Sequence, residues 1–540
     1  MKRSVGFPEK LAGRGGIRTG CSRKPAELAG VVSLAVLVVA ELAAAVALFL
    51  SRAANVGAVD EDAYISFRYA QNLLAGEGLV FNPDGQQVEG ITNLLWTLSL
   101  AVGSWISGAG LPAVSVALGL IFGVLTLLLA WAWGFEELFG SGVSRPMAAT
   151  GAVGAPFLLA LAPGFAYYAA SGLEVVFFGF LVMAGLYFLR GGGKLWCAVS
   201  GSLLLGAAAI TRPEGALVLL FAAAAYALWS GGARWRRTLA AALPGGLVIA
   251  GVTLWRLYYY GSPIPNTAFA KAGGLEVMER WGVPYIVETA QENWFPVAWV
   301  LVIAGAVAHR GFLKRNLAVT GLVPVWAAYV VYAGGDYMPF GRFLQPMLPV
   351  LYTLAVVGSG LVLRAAAGSS TRTRSVLGAV SVALPLIFAV SVFLSGVPDQ
   401  VKEEKKHGDY LASMTERRHA AADWFDENAP NALVARDGVG AFGYYSDLRL
   451  VDMLGLNDSY IAHHGEKYPS LKPGHQTSDG EYILSREPDY IMVPEITPPF
   501  TFASEKELAN TPGFREEYDR LVINLSTGDQ TYLWKRVEGE

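Results

Sequence analysis

Three acidic residues, Asp60, Glu61 and Asp62, stand side by side in the stretch VDEDAYISFRYAQNLL at residues 59–74. A carboxylate can take a proton from a hydroxyl group and so act as a general base. It can equally cap the helix that the following residues predict, because acids at a helix N-terminus complement the helix dipole. Both roles stay open at this point, and the choice depends on which other groups face the three acids.

Four further motifs place polar side chains at the ends of apolar runs. Taken singly, each is explained by an arginine or lysine that reaches lipid headgroups, or by an Arg–Glu pair that locks two helices. Together with the acids they indicate attack by a hydroxyl on a group whose leaving portion is a lipid phosphate, with a carboxylate as base and cations that neutralise the phosphate. The motifs are SGLE at 171–174, TRPEG at 211–215, RLYYYGSPIPNTAFAKAG at 256–273 and GGDYMPFGRFLQP at 334–346.

The composition indicates which kind of protein must position these groups. The chain has 540 residues, of which 53% are hydrophobic and 16% charged, which is typical of a polytopic α-helical membrane protein. Residues 401–540 hold 40 of the 85 Asp, Glu, Lys and Arg residues, so we predict a soluble α/β domain at 399–540 after a membrane body at 28–398. The net charge is -3, and positive and negative residues are divided between the predicted compartments rather than gathered in one patch. This distribution argues against a nucleic-acid partner.

Loops rich in Lys and Arg predict the topology. Basic residues at 190–194, 234–237, 309–315 and 364–374, and in a tail at 1–27, mark the cytoplasmic side. This pattern puts the acids and the four motifs outside only if the polar run 91–108 does not cross, so we predict about eleven transmembrane helices and a first external loop at 51–111. The twelve apolar runs are 28–50, 91–108, 112–134, 147–169, 173–189, 195–210, 214–230, 237–257, 294–309, 317–333, 343–364 and 375–396.

Two local patterns complete the predicted structure. From Ala63 to Leu74 the apolar residues share one side of a helix and Arg68 lies opposite, which predicts a helix along the outer membrane surface. The C-terminal part predicts a helix over 409–429 followed by five strands, ALVAR, LRLVDM, DYIMVP, YDRLVINL and TYLWKR. The stretch DGVGAFG at 437–443 lacks the spacing of a phosphate loop, so no nucleotide site is predicted there.

Five segments resemble, in order, the motifs of a bacterial family of GT-C fold glycosyltransferases that includes the terminal β-arabinofuranosyltransferases of mycobacterial cell walls. They are DAYISFRYAQNLLAGEGLVFNPDGQQVEGITNLLW, SGLE, TRPEG, YYGSPIPNTAFAK and GGDYMPFGRFLQPMLP, and VDMLGLND at 451–458 is also similar. The resemblance implies a polyprenyl-phosphate sugar as donor, a carboxylate base in the first extracytoplasmic loop, and transfer on the outer face to a cell-envelope glycan or glycolipid.

The resemblance also implies roles for individual residues. The family has two aspartates before Ala-Tyr or Ala-Phe, and here those positions are Glu61 and Asp62, preceded by Asp60. Asp62 matches by identity, so it is ranked first as the base and Glu61 second. The cations expected at the donor phosphate are Arg212, Arg342, Lys271 and Arg256. The other residues expected at the substrate are Tyr64, Arg68, Glu89, Asn93, Glu174, Asn266 and Asp336.

Two other functions fit parts of the pattern. A transporter would carry charged residues in mid-helix and repeated broken helices, and neither pattern is evident here. A non-catalytic protein of envelope assembly or motility could keep the fold without the reaction, since some family members are linked to flagellar motor control. A divalent metal is possible, because Asp60, Glu61, Asp62 and Asp336 offer oxygen ligands, but their spacing does not demand one.

Overall fold

The chain is described by a computed structural model that covers residues 25–83, 85–190, 194–230, 235–271, 273–367, 397–493 and 496–537. The predicted span at 375–396 and residues 1–24 of the predicted basic tail lie outside the described residues.

The first two thirds of the described chain are helical, as predicted for a membrane protein. By length and composition, four described helices could cross a membrane, Gly30–Ala54, Leu111–Gly140, Trp235–Tyr259 and Pro339–Ala367, and six shorter helices are apolar. The helices are α1 Pro25–Ala54, α2 Glu61–Ala75, α3 Leu94–Ser107, α4 Leu111–Gly140, α5 Arg145–Gly151, α6 Gly154–Leu161, α7 Phe165–Ala170, α8 Val175–Arg190, α9 Leu195–Thr211, α10 Gly215–Ser230, α11 Trp235–Tyr259, α12 Thr267–Ala270, α13 Leu275–Val277, α14 Val283–Glu292, α15 Phe295–Ala308, α16 Arg310–Arg315, α17 Leu317–Tyr332 and α18 Leu348–Ala367.

Basic residues from separate loops meet at one end of this bundle. Glu137, near the end of α4, is fully buried and accepts hydrogen bonds from Arg190 and from Arg315, the latter at 3.0 and 2.8 Å. The guanidinium of Arg364 packs against Gly142 at the same end. Three of the loops predicted to lie on the cytoplasmic side therefore share one end of the bundle, and the carboxylate of Glu137 offsets part of their charge.

Helix α3, the run predicted not to cross, begins and ends near the opposite end of the bundle. Asn93, just before α3, contacts Glu174, and Ser115, in the first turns of α4, lies against Gly172. Only three residues separate α3 from α4, so the end of α3 must lie close to Ser115. This is the placement expected of a helix that returns to the side from which it started.

Helix α2 packs against both parts of the protein, and of its predicted polar side chains Arg68 and Asn72 are buried. Tyr64 and Phe67 pack into the core of the membrane body, whereas Ile65 and Tyr69 pack into the core of the C-terminal part. Arg68, predicted on the polar face, is only 4% exposed. A helical wheel shows which residues are apolar but not that a second domain covers the other side, so α2 is sandwiched between the two parts.

The C-terminal part contains the α/β unit that the sequence predicts, and all five strands are confirmed. Strands β2, β1 and β5 are parallel, and β7 and β6 extend the sheet antiparallel in the order β2-β1-β5-β7-β6. The elements are α19 Val397–Asn428, β1 Leu433–Arg436, α20 Gly440–Tyr445, β2 Arg449–Asp452, α21 Ser459–His464, β3 Glu466–Lys467, β4 Thr477–Ser478, α22 Gly480–Ser485, β5 Tyr490–Met492, α23 Ala503–Asn510, α24 Phe514–Glu517, β6 Tyr518–Asn524 and β7 Gln530–Arg536.

The long helix α19 fixes this unit to the bundle. Arg52, near the end of α1, donates to Glu404 of α19 at 2.5 Å and to the carbonyl oxygens of Ala160 and Ala162 at 2.9 and 3.2 Å. Gly408 packs directly on the backbone of Val56, where an added Cβ would stand 1.7 Å from the carbonyl oxygen. Helix α19 is thus held on the bundle by a buried ion pair and by a backbone approach that needs glycine.

Candidate active site

A cavity of about 180 Å³ lies between the bundle and the C-terminal unit. The carboxyl ends of the parallel strands β1 and β2 contribute Asp437 and Asp452, because such ends meet at one edge of a sheet. The bundle contributes the opposite wall. Eight of the sequence-predicted site residues line the cavity: Glu61, Asp62, Asn93, Glu174, Arg212, Lys271, Asp336 and Arg342.

Asp60 caps helix α2 and lies beneath the cavity. Its side chain accepts a hydrogen bond from the backbone N–H of Asp62 at 3.2 Å and one from the Tyr167 hydroxyl at 3.3 Å. It is 4% exposed, and burial, with a contribution from the nearby Asp62 carboxylate, raises the pKa of Asp60 to about 7. Asp60 therefore has the capping role that the sequence left open. Because its carboxylate is buried, ionising it in the folded protein carries a free-energy cost.

This cost predicts a pH-dependent stability. Between the ordinary aspartate range and about pH 7, folding takes up a proton at Asp60, so the free energy of unfolding should fall as the pH rises through that window. Asp60→Asn keeps a capping side chain and removes the charge. We expect its melting temperature in detergent to exceed that of the wild type at pH 8 and to match it near pH 4, with about 1.4 kcal/mol for each unit of raised pKa.

Asp479, a partly exposed N-cap residue that accepts from the N–H of Tyr482 at 2.9 Å, provides the control. Asp479→Asn changes a cap in the same chemical way, so it should show no gain that is confined to high pH. An equal effect of Asp60→Asn at both pH values would contradict the electrostatic explanation.

Asp62 is the acid whose carboxylate opens into the cavity. Its side chain is 36% exposed, and it accepts from the Tyr337 hydroxyl at 3.3 Å and lies 3.5 Å from Arg342. Burial raises the pKa of Asp62, and the guanidinium of Arg342 opposes that rise. Arg342 also pairs with Asp336, so the cation is held between two carboxylates. Asp62 thus combines access with a nearby cation.

Glu61 points towards the C-terminal unit. Its Oε1 atom forms an ion pair with Arg418 of α19 and accepts from the backbone N–H of Ala441 at 3.2 Å. Its Oε2 atom is buried without a hydrogen-bond partner among the described residues. Of the three candidate bases, Glu61 is the one whose contacts hold the two parts of the protein together.

Glu174 and Arg212 belong to a buried chain of ion pairs. Arg212 donates to Glu174 and to Glu214, each at 2.6 Å, and Glu174 in turn accepts from Asn93 at 2.8 Å. Arg212 is 8% exposed and Glu174 is 4% exposed. Both acids already neutralise the guanidinium that was predicted to meet a phosphate, so the structure gives Arg212 the contacts of an Arg–Glu lock between helices.

The other predicted residues lie away from the cavity. Arg256 donates through Nε and Nη2 to Glu89 at 2.8–3.0 Å, and Asn266 donates to the carbonyl oxygens of Gly455 and Leu456. Arg68 donates to four carbonyl oxygens, those of Phe81, Gly443, Ser446 and Leu448, and Tyr64 pairs with Tyr445 at 3.4 Å. Internal acceptors bind the guanidinium groups of Arg68 and Arg256, which disfavours the substrate contact predicted for Arg68 and the donor-phosphate contact predicted for Arg256; both stay predictions.

Polar groups without partners remain around the cavity. In the described part of the chain, the ammonium of Lys271 makes neither a hydrogen bond nor an ion pair, and the buried hydroxyl of Thr267 has no hydrogen-bond partner. Partial desolvation of its ammonium and the charge of Arg342 lower the pKa of Lys271, although the residue as a whole is exposed. The hydroxyl of Thr267 is buried, and buried polar groups are normally satisfied, so this group indicates a polar ligand next to Lys271.

Sequence reasoning missed several residues of the cavity wall. Tyr337 stood inside a quoted motif but was not singled out, although its hydroxyl contacts Asp62. Asp437 and Asp452 directly follow or end parallel strands, and the rule that ligands bind at such strand ends could have found them. The segment 473–476 carries no periodic signal, and only the folded chain brings it to the cavity.

Metal ligation can be tested against this geometry. Within the described ranges, no group of three or more His, Cys, Asp and Glu side chains is placed to hold a metal ion. Asp336 is engaged by Arg342, and Glu61 by Arg418. The acids that were considered as oxygen ligands therefore have partners within the protein.

Comparisons with known proteins match both a family model and curated relatives. Residues 409–534 match a family model described as a domain of unknown function, DUF8728. The terminal beta-(1->2)-arabinofuranosyltransferase of Mycobacterium tuberculosis is 29% identical over 349 residues, which cover 56% of this chain and 52% of that protein. Its counterpart from Corynebacterium glutamicum is 27% identical over 354 residues, covering 55% and 48%. The chain thus spans about half the length of the curated relatives it matches.

The solved structures show the fold. The apo oligosaccharyltransferase of Archaeoglobus fulgidus superimposes with a TM-score of 0.54 at 12% identity, covering 92% of this chain and 74% of that one. The same archaeal enzyme, AglB, in complex with an inhibitory peptide and a dolichol-phosphate gives 0.54 at 13% identity, with the same coverage. The chain therefore has a GT-C fold and, as its motifs predicted, resembles the terminal arabinofuranosyltransferases.

Proposed function

We propose that this chain is a membrane glycosyltransferase that moves a sugar from a polyprenyl-phosphate donor to a hydroxyl group of a cell-envelope glycan or glycolipid. One observation carries the proposal: the cavity presents the carboxylate of Asp62 beside Arg342 and an unpaired Lys271. A base next to an arginine and to a lysine without an acidic partner suits a reaction in which a hydroxyl attacks and a phosphate leaves.

In the proposed step, Asp62 takes the proton of the acceptor hydroxyl while the hydroxyl oxygen bonds to the anomeric carbon. The bond between that carbon and the phosphate oxygen breaks, and its electron pair stays on the phosphate. Lys271 and Arg342 offset the negative charge that develops on the departing phosphate. The proton ends on Asp62, and the products are the glycosylated acceptor and the polyprenyl phosphate.

The choice of donor and acceptor rests on the relatives. The mycobacterial and corynebacterial relatives are named for the transfer of arabinofuranose, which makes this sugar the first candidate. The archaeal enzyme that shares the fold was solved with a dolichol-phosphate, which supports a lipid-phosphate carrier. The soluble unit at 399–540 supplies one wall of the cavity and is proposed to bind the acceptor.

The orientation follows from charge. The basic residues around Glu137 gather at the end of the bundle away from the cavity, and basic loops favour the cytoplasmic side. We therefore propose a multi-pass protein of the bacterial plasma membrane, with the cavity and the C-terminal unit outside the cytoplasm and in contact with membrane lipids.

Sugar transfer by the purified protein tests the proposal. The protein in detergent is given polyprenyl phosphates that carry arabinofuranose, mannose or glucose, together with an oligosaccharide acceptor, with and without a chelator, and the products are read by mass spectrometry. We expect transfer from one of these donors, none from a nucleotide sugar, and strongly slowed transfer with Asp62→Asn. Transfer from the nucleotide sugar alone, or from no donor, would overturn the proposed function.

A further inference from the structure

A loop of the C-terminal unit forms part of the cavity wall. This β3–β4 loop, residues 468–476, is closed by Gln476, whose amide donates to the carbonyl oxygens of Pro469 and Leu471 at 2.9 and 3.0 Å. Residues 473–476 of the loop line the cavity. The loop is thus an ordered part of the cavity wall.

The same loop is attached to the bundle at two places. The indole N–H of Trp281 donates to the carbonyl oxygen of Pro469 at 2.9 Å. Thr477, directly after the loop, donates to the carbonyl oxygen of Ala270 at 2.6 Å, and Ala270 is the neighbour of Lys271. The segment that carries Lys271 and the β3–β4 loop are therefore held to each other.

Lys472 in this loop is a second lysine without an acidic partner. Its ammonium lies 4.1 Å from the ring centre of Tyr337 and 5.7 Å from that of Phe502, and it makes no ion pair in the described ranges. The hydroxyl of Tyr337 is the group that donates to Asp62. One tyrosine ring thus separates Lys472 from the proposed base, and the face of an ammonium that is turned away from a ring stays free to bind an anion.

Lys271 and Lys472 also share their electrostatic surroundings. Desolvation, the larger effect, lowers the pKa of both lysines, and the carboxylate of Asp336 raises both. An anionic ligand bound beside both lysines would form ion pairs with two ammonium groups that have no acidic partner among the described residues. A phosphate is such a ligand.

We propose that Lys472 is a donor-binding residue: the phosphate of the polyprenyl-phosphate donor binds between the ammonium groups of Lys271 and Lys472, so the C-terminal unit supplies part of the donor site. This inference rests on the proposed function and adds a residue from a second part of the chain to it. It implies that donor binding holds the β3–β4 loop on the bundle.

The test compares full-length wild-type protein with Lys472→Gln in detergent, with undecaprenyl phosphate, undecaprenol and inorganic phosphate as ligands and the dissociation constant as readout. We expect the wild type to bind undecaprenyl phosphate at least tenfold more tightly than undecaprenol, and Lys472→Gln to lose about tenfold in affinity for undecaprenyl phosphate only. Lys472→Arg should stay within about threefold of the wild type. Lys506→Gln is the matched control, because Lys506 lies 3.8 Å from the ring centre of Tyr468 in the same kind of contact and should leave the affinity unchanged.

Amine labelling of the wild type gives a readout that needs no variant. Undecaprenyl phosphate should slow the labelling of Lys472 and leave that of Lys506 unchanged, while undecaprenol should protect neither. Wild-type protein that cannot distinguish undecaprenyl phosphate from undecaprenol would overturn the proposed function. If the wild type does distinguish them, unchanged affinity in Lys472→Gln would overturn the role of Lys472 alone, and so would a Lys472 that undecaprenyl phosphate does not protect. Protection of Lys472 by inorganic phosphate but not by the lipid would also overturn that role.

Discussion

Replacement of Asp62 by asparagine should lower the rate of sugar transfer by about 10²- to 10⁴-fold, the usual range for the loss of a general base. The variant should fold, because the side chain is 36% exposed and asparagine can still accept from the Tyr337 hydroxyl. The measurement is single-turnover transfer from the polyprenyl-phosphate donor that the wild type accepts. Donor affinity should change little, since no cation is removed.

The pH profile sharpens this prediction. A base must be ionised to act, and burial raises the pKa of Asp62, so wild-type kcat/KM should fall on the acidic side at a higher pH than an ordinary aspartate would give. Arg342→Ala removes the cation that opposes this rise, so the acidic limb should move further towards neutral pH.

Glu61→Gln provides the comparison with the neighbouring acid. It removes the charge that pairs with Arg418, so its main effect should be on stability and on the attachment of the C-terminal unit. A loss of transfer in Glu61→Gln as large as that in Asp62→Asn, at unchanged melting temperature, would assign the base to Glu61 and contradict the geometric assignment.

Replacement of Arg212 by alanine should abolish folding rather than weaken donor binding. It would leave Glu174 and Glu214 buried without their shared cation, and breaking one buried ion pair already costs about 3–5 kcal/mol. We expect the folded yield in detergent, measured by size-exclusion chromatography and thermal unfolding, to collapse.

Two controls separate the lock from a phosphate site. Arg342→Ala also leaves two acids, Asp62 and Asp336, without their cation. Because Asp62 is partly exposed, we expect this variant to fold and to bind the donor more weakly. The triple change Arg212→Met, Glu174→Gln and Glu214→Gln removes the charges together and should recover much of the yield. If Arg212→Ala folds well and loses only donor affinity, Arg212 binds the donor phosphate, as the sequence suggested.

The sequence by itself determined the features that depend on local pattern. Apolar runs and uneven charge predicted a membrane body followed by a soluble part, strand periodicity placed β1, β2, β5, β6 and β7, and the apolar pattern after the three acids predicted a helix with those acids at its N-terminus, where α2 begins. These patterns are local because helix and strand periods repeat within a few residues. The motifs, for the same reason, named residues that line the cavity without showing how they are paired.

Only the tertiary structure decided which of the neighbouring acids does what. Successive residues of a helix point about 100° apart, so the packing of α2 between two domains turns Asp62 to the cavity, Glu61 to Arg418 and Asp60 under the helix end. The other contacts join residues that are far apart in the sequence. Arg212 pairs with Glu174, 38 residues away, and Asp62 accepts a hydrogen bond from Tyr337, 275 residues away. Which ion pairs form and which residues line a cavity depend on how distant segments pack together, and a local sequence pattern does not contain that information.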